Sequence, residues 1–162
     1  MRFLALTFAA VLVAAAGFTA GALARGSAAD EHAPLRLGNF SVSLAVKDLA
    51  ASQEFYSTLG FEPVGGDATQ NWLILQNGTV NIGLFQGMFD ENIMTFNPGW
   101  NAKQETLSDF DDVREIQARL KAAGIELALE TDPEGTGVGH IVLQDPDGNQ
   151  IMFDQHVPAP RN

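Results

Sequence analysis

A few polar side chains in this chain sit where they could do chemistry, and none of them is a cysteine. His140 opens a predicted strand, where an imidazole can donate a bond to a ligand or act as a base near neutral pH. The plainer reading is a strand-edge histidine with its ring partly in solvent. Glu105, beside Thr106 and Leu107, can serve as a lone acid, a base or a polar hook for a ligand. It reads equally well as an exposed carboxylate ahead of an acidic turn made by Asp109, Asp111 and Asp112. His156 closes the last predicted strand before a proline-rich tail and reads as surface or terminal packing. His32 falls in an expected flexible terminus. The lack of cysteine removes thiol nucleophiles, zinc–thiolate sites and disulfides together, and with them a lipoprotein anchor. Asp145-x-Asp147-x-Asn149 has the look of a calcium loop, but its twelfth position is His156 rather than a bidentate Glu. Neither a phosphate-binding glycine loop nor a serine nucleophile elbow is present.

The elements that must position these residues follow from apolar patterning. Phe40, Val42, Leu44 and Val46 alternate as a half-buried strand does. Asp48 stands where an N-cap carboxylate accepts bonds from the first helical turn. Leu49, Phe55, Tyr56 and Leu59 supply an apolar helix face, and Gly60 suits the left-handed stop. The same sentence is written again further on: Asp112, with Asp111 able to share the role, precedes Val113, Ile116, Gln117 and Leu120 at helical spacing, and Gly124 ends the run. Asp112 and Gly124 each stand 64 residues after Asp48 and Gly60, so the domain contains an internal repeat. Short strands follow each helix. In the first copy they are residues 61–64, 72–75 and 80–85, the last two joined by the hairpin signal Asn77-Gly78. In the second they are residues 126–130, 140–144 and 150–154, the last two joined by the turn Asp145-Pro146-Asp147-Gly148. Module one thus spans about 40–87, an irregular link 88–101 and module two about 102–156, with a tail at 157–162. Phe89, Phe96 and Trp100 in the link can fill a core edge or roof a pocket.

The first residues stand apart from this domain. Met1-Arg2 and the apolar run to Ala24, closing on Ala22-Leu23-Ala24, read as a signal peptide over residues 1–24, with Ser27-Ala28-Ala29 a later cleavage option. A membrane anchor is the competing reading. Export to a periplasm-like space and a flexible mature terminus over 25–39 are therefore expected. A net charge of −11 on 162 residues argues against nucleic acid as a partner, since phosphates need a basic surface, and against an anionic membrane surface after cleavage.

Three stretches, "VSLAVKDLAASQEFYSTLGFE", "DDVREIQARLKAAGIEL" and "DPDGNQIMFDQH", resemble the signatures of the vicinal oxygen chelate superfamily, the glyoxalase/bleomycin resistance protein/dioxygenase-like domains. The resemblance covers the chain from about Asn39 to His156. It implies an α+β fold of two tandem βαβββ modules that form a curved, cup-like mixed sheet with helices outside. Metalloenzymes of this kind hold a divalent ion with four side chains inside the cup. Carried onto this chain, those positions are Ser41, Gly83, Glu105 (from the 64-residue offset applied to Ser41) and Met152. Only Glu105 retains a ligand-type side chain, and a one-residue slip offers Ile82 or Leu84, and Ile151 or Phe153, none of which binds a hard ion. No cofactor is expected. The resemblance then implies a metal-free binder of a small apolar or aromatic molecule. Its pocket would draw on Ser41, Trp72, Gly83, Phe85, Glu105, His140 and Met152. The alternative is a lyase, isomerase or dioxygenase with a divalent metal relocated to Glu105, His140 and His156. A second alternative is a protein-interaction module using sheet edges or the aromatic link. A homodimer is implied by the resemblance alone.

Overall fold

The computed structural model describes residues 33–160. The leader, its cleavage sites and His32 lie outside the described residues. Chain order is β1 (Asn39–Val46), α1 (Leu49–Thr58), β2 (Glu62–Asp67), β3 (Trp72–Asn77), β4 (Val80–Gln86), β5 (Ile93–Asn97), α2 (Val113–Ala122), β6 (Gly139–Gln144) and β7 (Gln150–Gln155). A single 3-10 turn, Ala68–Gln70, links β2 to β3.

Both helices start as expected. The Asp48 carboxylate accepts the Ala51 amide at 3.0 Å, and Gly60 follows α1 at φ +84°. At α2 the cap is Asp112, which accepts the Arg114 amide at 2.9 Å. Asp111 instead takes the Arg36 guanidinium and backbone amide. Gln155 reinforces the start of α2, with its Oε1 accepting the Val113 amide at 2.8 Å and its Nε2 donating to Asp112 at 2.7 Å. The face of α1 is narrower than the sequence suggests. Leu49 is buried and Tyr56 packs beside it, but Phe55 and Leu59 remain exposed.

The described strands form one mixed sheet in the order β2-β3-β4-β1-β5-β7-β6. In the first half β1 runs parallel to β4, and β4 antiparallel to β3. In the second β5 runs parallel to β7, and β7 antiparallel to β6. The halves meet where β1 pairs antiparallel with β5. The two modules thus share a continuous sheet, the second repeating three of the first module's four strands. Each helix covers its own core: Leu49 over Leu73, Leu75, Ile82 and Leu84 in one, Val113 and Ile116 over Ile141, Leu143 and Phe153 in the other.

Three expectations need correction. The link at 88–101 contains β5, so module two begins there and not near residue 102. Met94 and Phe96 point to the helix side, and Phe96 stacks on Phe153 at 5.4 Å. Residues 126–130 form only an isolated bridge, Leu129 to Val142, because Leu127 packs on the core while its neighbours stay exposed. The stretch just before β1 is tied down, with Leu35 and Leu37 against the second core and Arg36 bound to Asp111.

Candidate functional site

Side chains alternate across a strand, so residues flanking the core-facing ones share the opposite face. Leu44, Leu84, Phe96, Ile141 and Phe153 pack against the helices. Ser43, Gly83, Thr95 and Met152 therefore lie on the face the helices leave free. Register extends this into rows. Asn81, Ser41, Thr95 and Met152 are successive partners across β4, β1, β5 and β7, and Gly83 and Ser43 are partners in the next row. Ser41, Trp72, Ile74, Phe85, Ile93 and Met152 are all part-exposed. The face is open to solvent, and it is the cup the sequence anticipates.

Its centre is polar and closely bonded. Gln76 donates to Asn81 Oδ1 at 2.8 Å, Asn81 to Asn39 Oδ1 at 3.0 Å, and Asn39 to Asn97 Oδ1 at 3.2 Å. Asn97 in turn donates to the Asp154 carbonyl at 3.1 Å. Beside this chain of amides the hydroxyls of Ser43 and Thr95 bond each other at 3.0 Å. Buried amides need such partners, since one left unmet costs about 1–3 kcal/mol.

The module-one end is aromatic. Trp72 and Phe85 are cross-strand partners, with ring centroids 6.2 Å apart and planes within 4°. Phe89 leans on Phe85 at 5.2 Å. The Phe85 ring folds over Gly83, so closely that a Cβ added to Gly83 would lie 2.4 Å from Phe85 Cε2. The space a side chain at position 83 needs is already filled.

The expected site residues divide. Ser41, Trp72, Gly83, Phe85 and Met152 share the free face. His140 lies on it too, but on β6, five strand intervals from Trp72 on β3. At about 4.8 Å per interval that is roughly 24 Å along the sheet. Glu105 is not on the face. It is exposed in the segment between β5 and α2, where Asn101 Nδ2 donates to its carboxylate at 2.7 Å. The 64-residue offset holds between the helices but not between first strands, because Pro98 to Asp112 separate β5 from α2 whereas only Lys47 and Asp48 separate β1 from α1. The residue facing Ser41 from module two is Thr95.

These donors do not fit a divalent metal. Ser41 and Thr95 offer neutral hydroxyls, Met152 a thioether, and Gly83 nothing, whereas hard and borderline ions take carboxylate or imidazole. Among the described residues no three His, Asp or Glu side chains gather closely enough to hold an ion.

One association escaped the sequence reading. His156 Nε2 lies 3.1 Å from Asp154 Oδ2, and its ring stacks on Trp100 with centroids 4.5 Å apart. The hydrogen bond to Asp154 raises the imidazole above its ordinary range, and partial burial opposes that shift. The Asp-x-His spacing, two residues apart and so on one face, was the available signal. His140 pairs across the ladder with Asp154, and both histidines border an open groove of about 470 Å³ with Thr131 and Asp132. A second groove, about 450 Å³, lies where β1 and β4 begin, between Phe40, Val42, Val80, Ile82 and Leu107.

Comparison with known proteins agrees with this architecture. The model of the Glyoxalase/Bleomycin resistance protein/Dioxygenase superfamily matches residues 38–153. A member of that superfamily from Vibrio splendidus superposes with a TM-score of 0.52 at 21% identity, over 72% of this chain and 97% of its own. A Legionella pneumophila protein described as an NAD-dependent benzaldehyde dehydrogenase gives 0.53 at 18%, over 72% and 98%. A hypothetical protein from Bacillus halodurans gives 0.51 at 15%, over 78% and 97%. At such identities the likeness concerns the fold alone. None of the curated proteins compared matches the chain.

Proposed function

The chain belongs to the glyoxalase/bleomycin resistance protein/dioxygenase superfamily, and on that premise we propose that it binds a small apolar or aromatic molecule, without a metal, on the open face between its modules. The observation that carries this reading is the Phe85 ring lying over Gly83. It replaces a possible donor position by an aromatic surface stacked on Trp72. Part-buried rings next to a few fixed polar groups are what small-ligand sites offer. A ligand of about ten heavy atoms, held at about 0.5 kcal/mol per atom, would bind in the high micromolar range. Export by the 1–24 leader and pairing into a homodimer belong to the same proposal. N-terminal sequencing of the mature protein and its mass in solution address those two.

The decisive experiment titrates small aromatic compounds against the purified protein, following the melting temperature and tryptophan fluorescence in wild type and Trp72→Phe. Binding that weakens in the variant supports the reading. No stabilising compound in the panel, or near-stoichiometric divalent metal in protein purified without chelators, would overturn it. The relocated-metal alternative gains nothing from the geometry, since Glu105 is bound to Asn101 and His156 to Asp154.

A further inference from the structure

We infer that the ligand of this face is an aromatic compound bearing a hydrogen-bond acceptor, such as an aryl carbonyl oxygen, received by the Ser43–Thr95 hydroxyl pair. The inference rests on the binding reading above and narrows its chemistry. Ser43 and Thr95 are 9% and 7% exposed, so little of either residue is in contact with water. Each has one proton to donate. Their mutual bond, in which either oxygen can be the donor, uses one of the two. Among the described residues, neither side chain makes another hydrogen bond. One O–H therefore lacks an acceptor among the described residues.

The direction of that spare donor follows from the strands. Leu44 and Phe96, the next residues along, pack against the helix-side cores, so Ser43 and Thr95 project to the open face. Ser43 is the direct partner of Gly83, the glycine under the Phe85 ring. The spare O–H and the edge of the aromatic platform are thus near neighbours, about one strand spacing apart. A flat ligand lying on the Phe85 and Trp72 side brings a carbonyl substituent over the hydroxyl pair. A hydrocarbon of the same outline leaves the donor unmet. Because the pair has one proton to spare and no charge of its own, a neutral acceptor suits it.

The test compares 2-acetylnaphthalene with 2-ethylnaphthalene, ligands of nearly equal shape, on wild type and on the Ser43→Ala/Thr95→Val double variant. Removing both hydroxyls leaves no orphaned partner, so the variant should fold. The expected result is an affinity loss of about tenfold for the ketone and less than twofold for the hydrocarbon. Thr95→Ser, which keeps the pair, should retain the preference. In wild type the carbonyl stretch of the bound ketone should fall below its frequency in hexane, a measurement that needs no variant. Equal losses for both ligands, or an unshifted carbonyl band, overturn the inference while leaving the aromatic face intact. If neither ligand binds wild type, the binding reading itself fails.

Discussion

Replacing Gly83 with alanine asks whether the Phe85 ring lies where the structure places it. The new Cβ would stand 2.4 Å from Phe85 Cε2 and 3.1 Å from Cζ, with Ile74 Cδ1 at 3.4 Å. Carbon atoms in contact prefer about 3.5–4.0 Å, so the ring must shift by roughly an ångström or more. The backbone raises no objection, because Gly83 is not among the positive-φ glycines. Alanine in a strand would otherwise gain about 0.5–1 kcal/mol over glycine. Overpacking costs about 1–3 kcal/mol, and forcing the ring off Trp72 forfeits about 0.5–1.5 kcal/mol of stacking. The net expectation is a loss of about 1–3 kcal/mol. In a Phe85→Ala background the clash is gone, and the same substitution should stabilise by up to about 1 kcal/mol. The coupling between the two positions is then about 1–4 kcal/mol.

Urea unfolding of wild type, both single variants and the double variant measures that coupling directly. A Gly83→Ala protein as stable as wild type would refute the placement of the ring, and so would an equal cost in both backgrounds. Either result would remove the ring-covered glycine on which the binding reading rests. The sign reversal between backgrounds is the informative feature, because a general dislike of alanine at this site would not produce it.

Gln155→Ala should cost about 2–4 kcal/mol in urea unfolding, since it strips Val113 and Asp112 of buried partners at the start of α2. Asp154→Asn should lower the His156 titration midpoint followed by NMR, because the carboxylate is what raises it. By linkage, the stability gained from that pair is fully present below the unfolded histidine value and fades as pH rises through the raised folded one. Asp145 is held below its ordinary value chiefly by Asn149. Its contribution is therefore present above the unfolded carboxylate value and lost as pH falls through the folded one, and Asn149→Ala should move its NMR midpoint upward. Glu105→Ala should leave aromatic-ligand affinity within twofold of wild type, since its carboxylate is exposed and turned to Asn101; a larger loss in the same titration would return Glu105 to the site.

What could be read from the sequence was local. Each helix is bounded by a capping aspartate and a glycine a fixed distance apart, and both hairpins carry their own turn residues, so no distant contact was needed to place them. β5 was missed because its pairing is entirely long-range. Ile93–Asn97 joins β1 on one side and β7 on the other, while Pro98-Gly99 beside it reads as a loop. Residues 126–130 were overread for the opposite reason, since alternation at Leu127 and Leu129 supplies one bridge and not a ladder. Glu105 entered the site through an offset that helices keep and the segment after β5 breaks. The pairing of Gly83 with Phe85 was within reach, being two residues apart on one strand. That the ring turns inward over the glycine was not.

The two cores do not merge, and this gives the polar centre its significance. Leu49 and its neighbours form one cluster, Val113 and its neighbours the other. Between them the β1–β5 seam is crossed on the open face by amides and hydroxyls, Asn39 to Asn97 and Ser43 to Thr95. On the helix face the Phe40–Phe96 contact crosses it. Hydrogen bonds are directional, so this seam fixes the register of one module against the other more sharply than apolar packing alone. A metal set in the cup could have served the same end by drawing donors from both modules. Here the seam is held by side chains that bond one another. A ligand lying across it meets a surface already ordered, so little of its binding energy is spent arranging the site. If the proposed binding holds, the hydroxyls, the thioether and the ring-covered glycine on that face set what can occupy it.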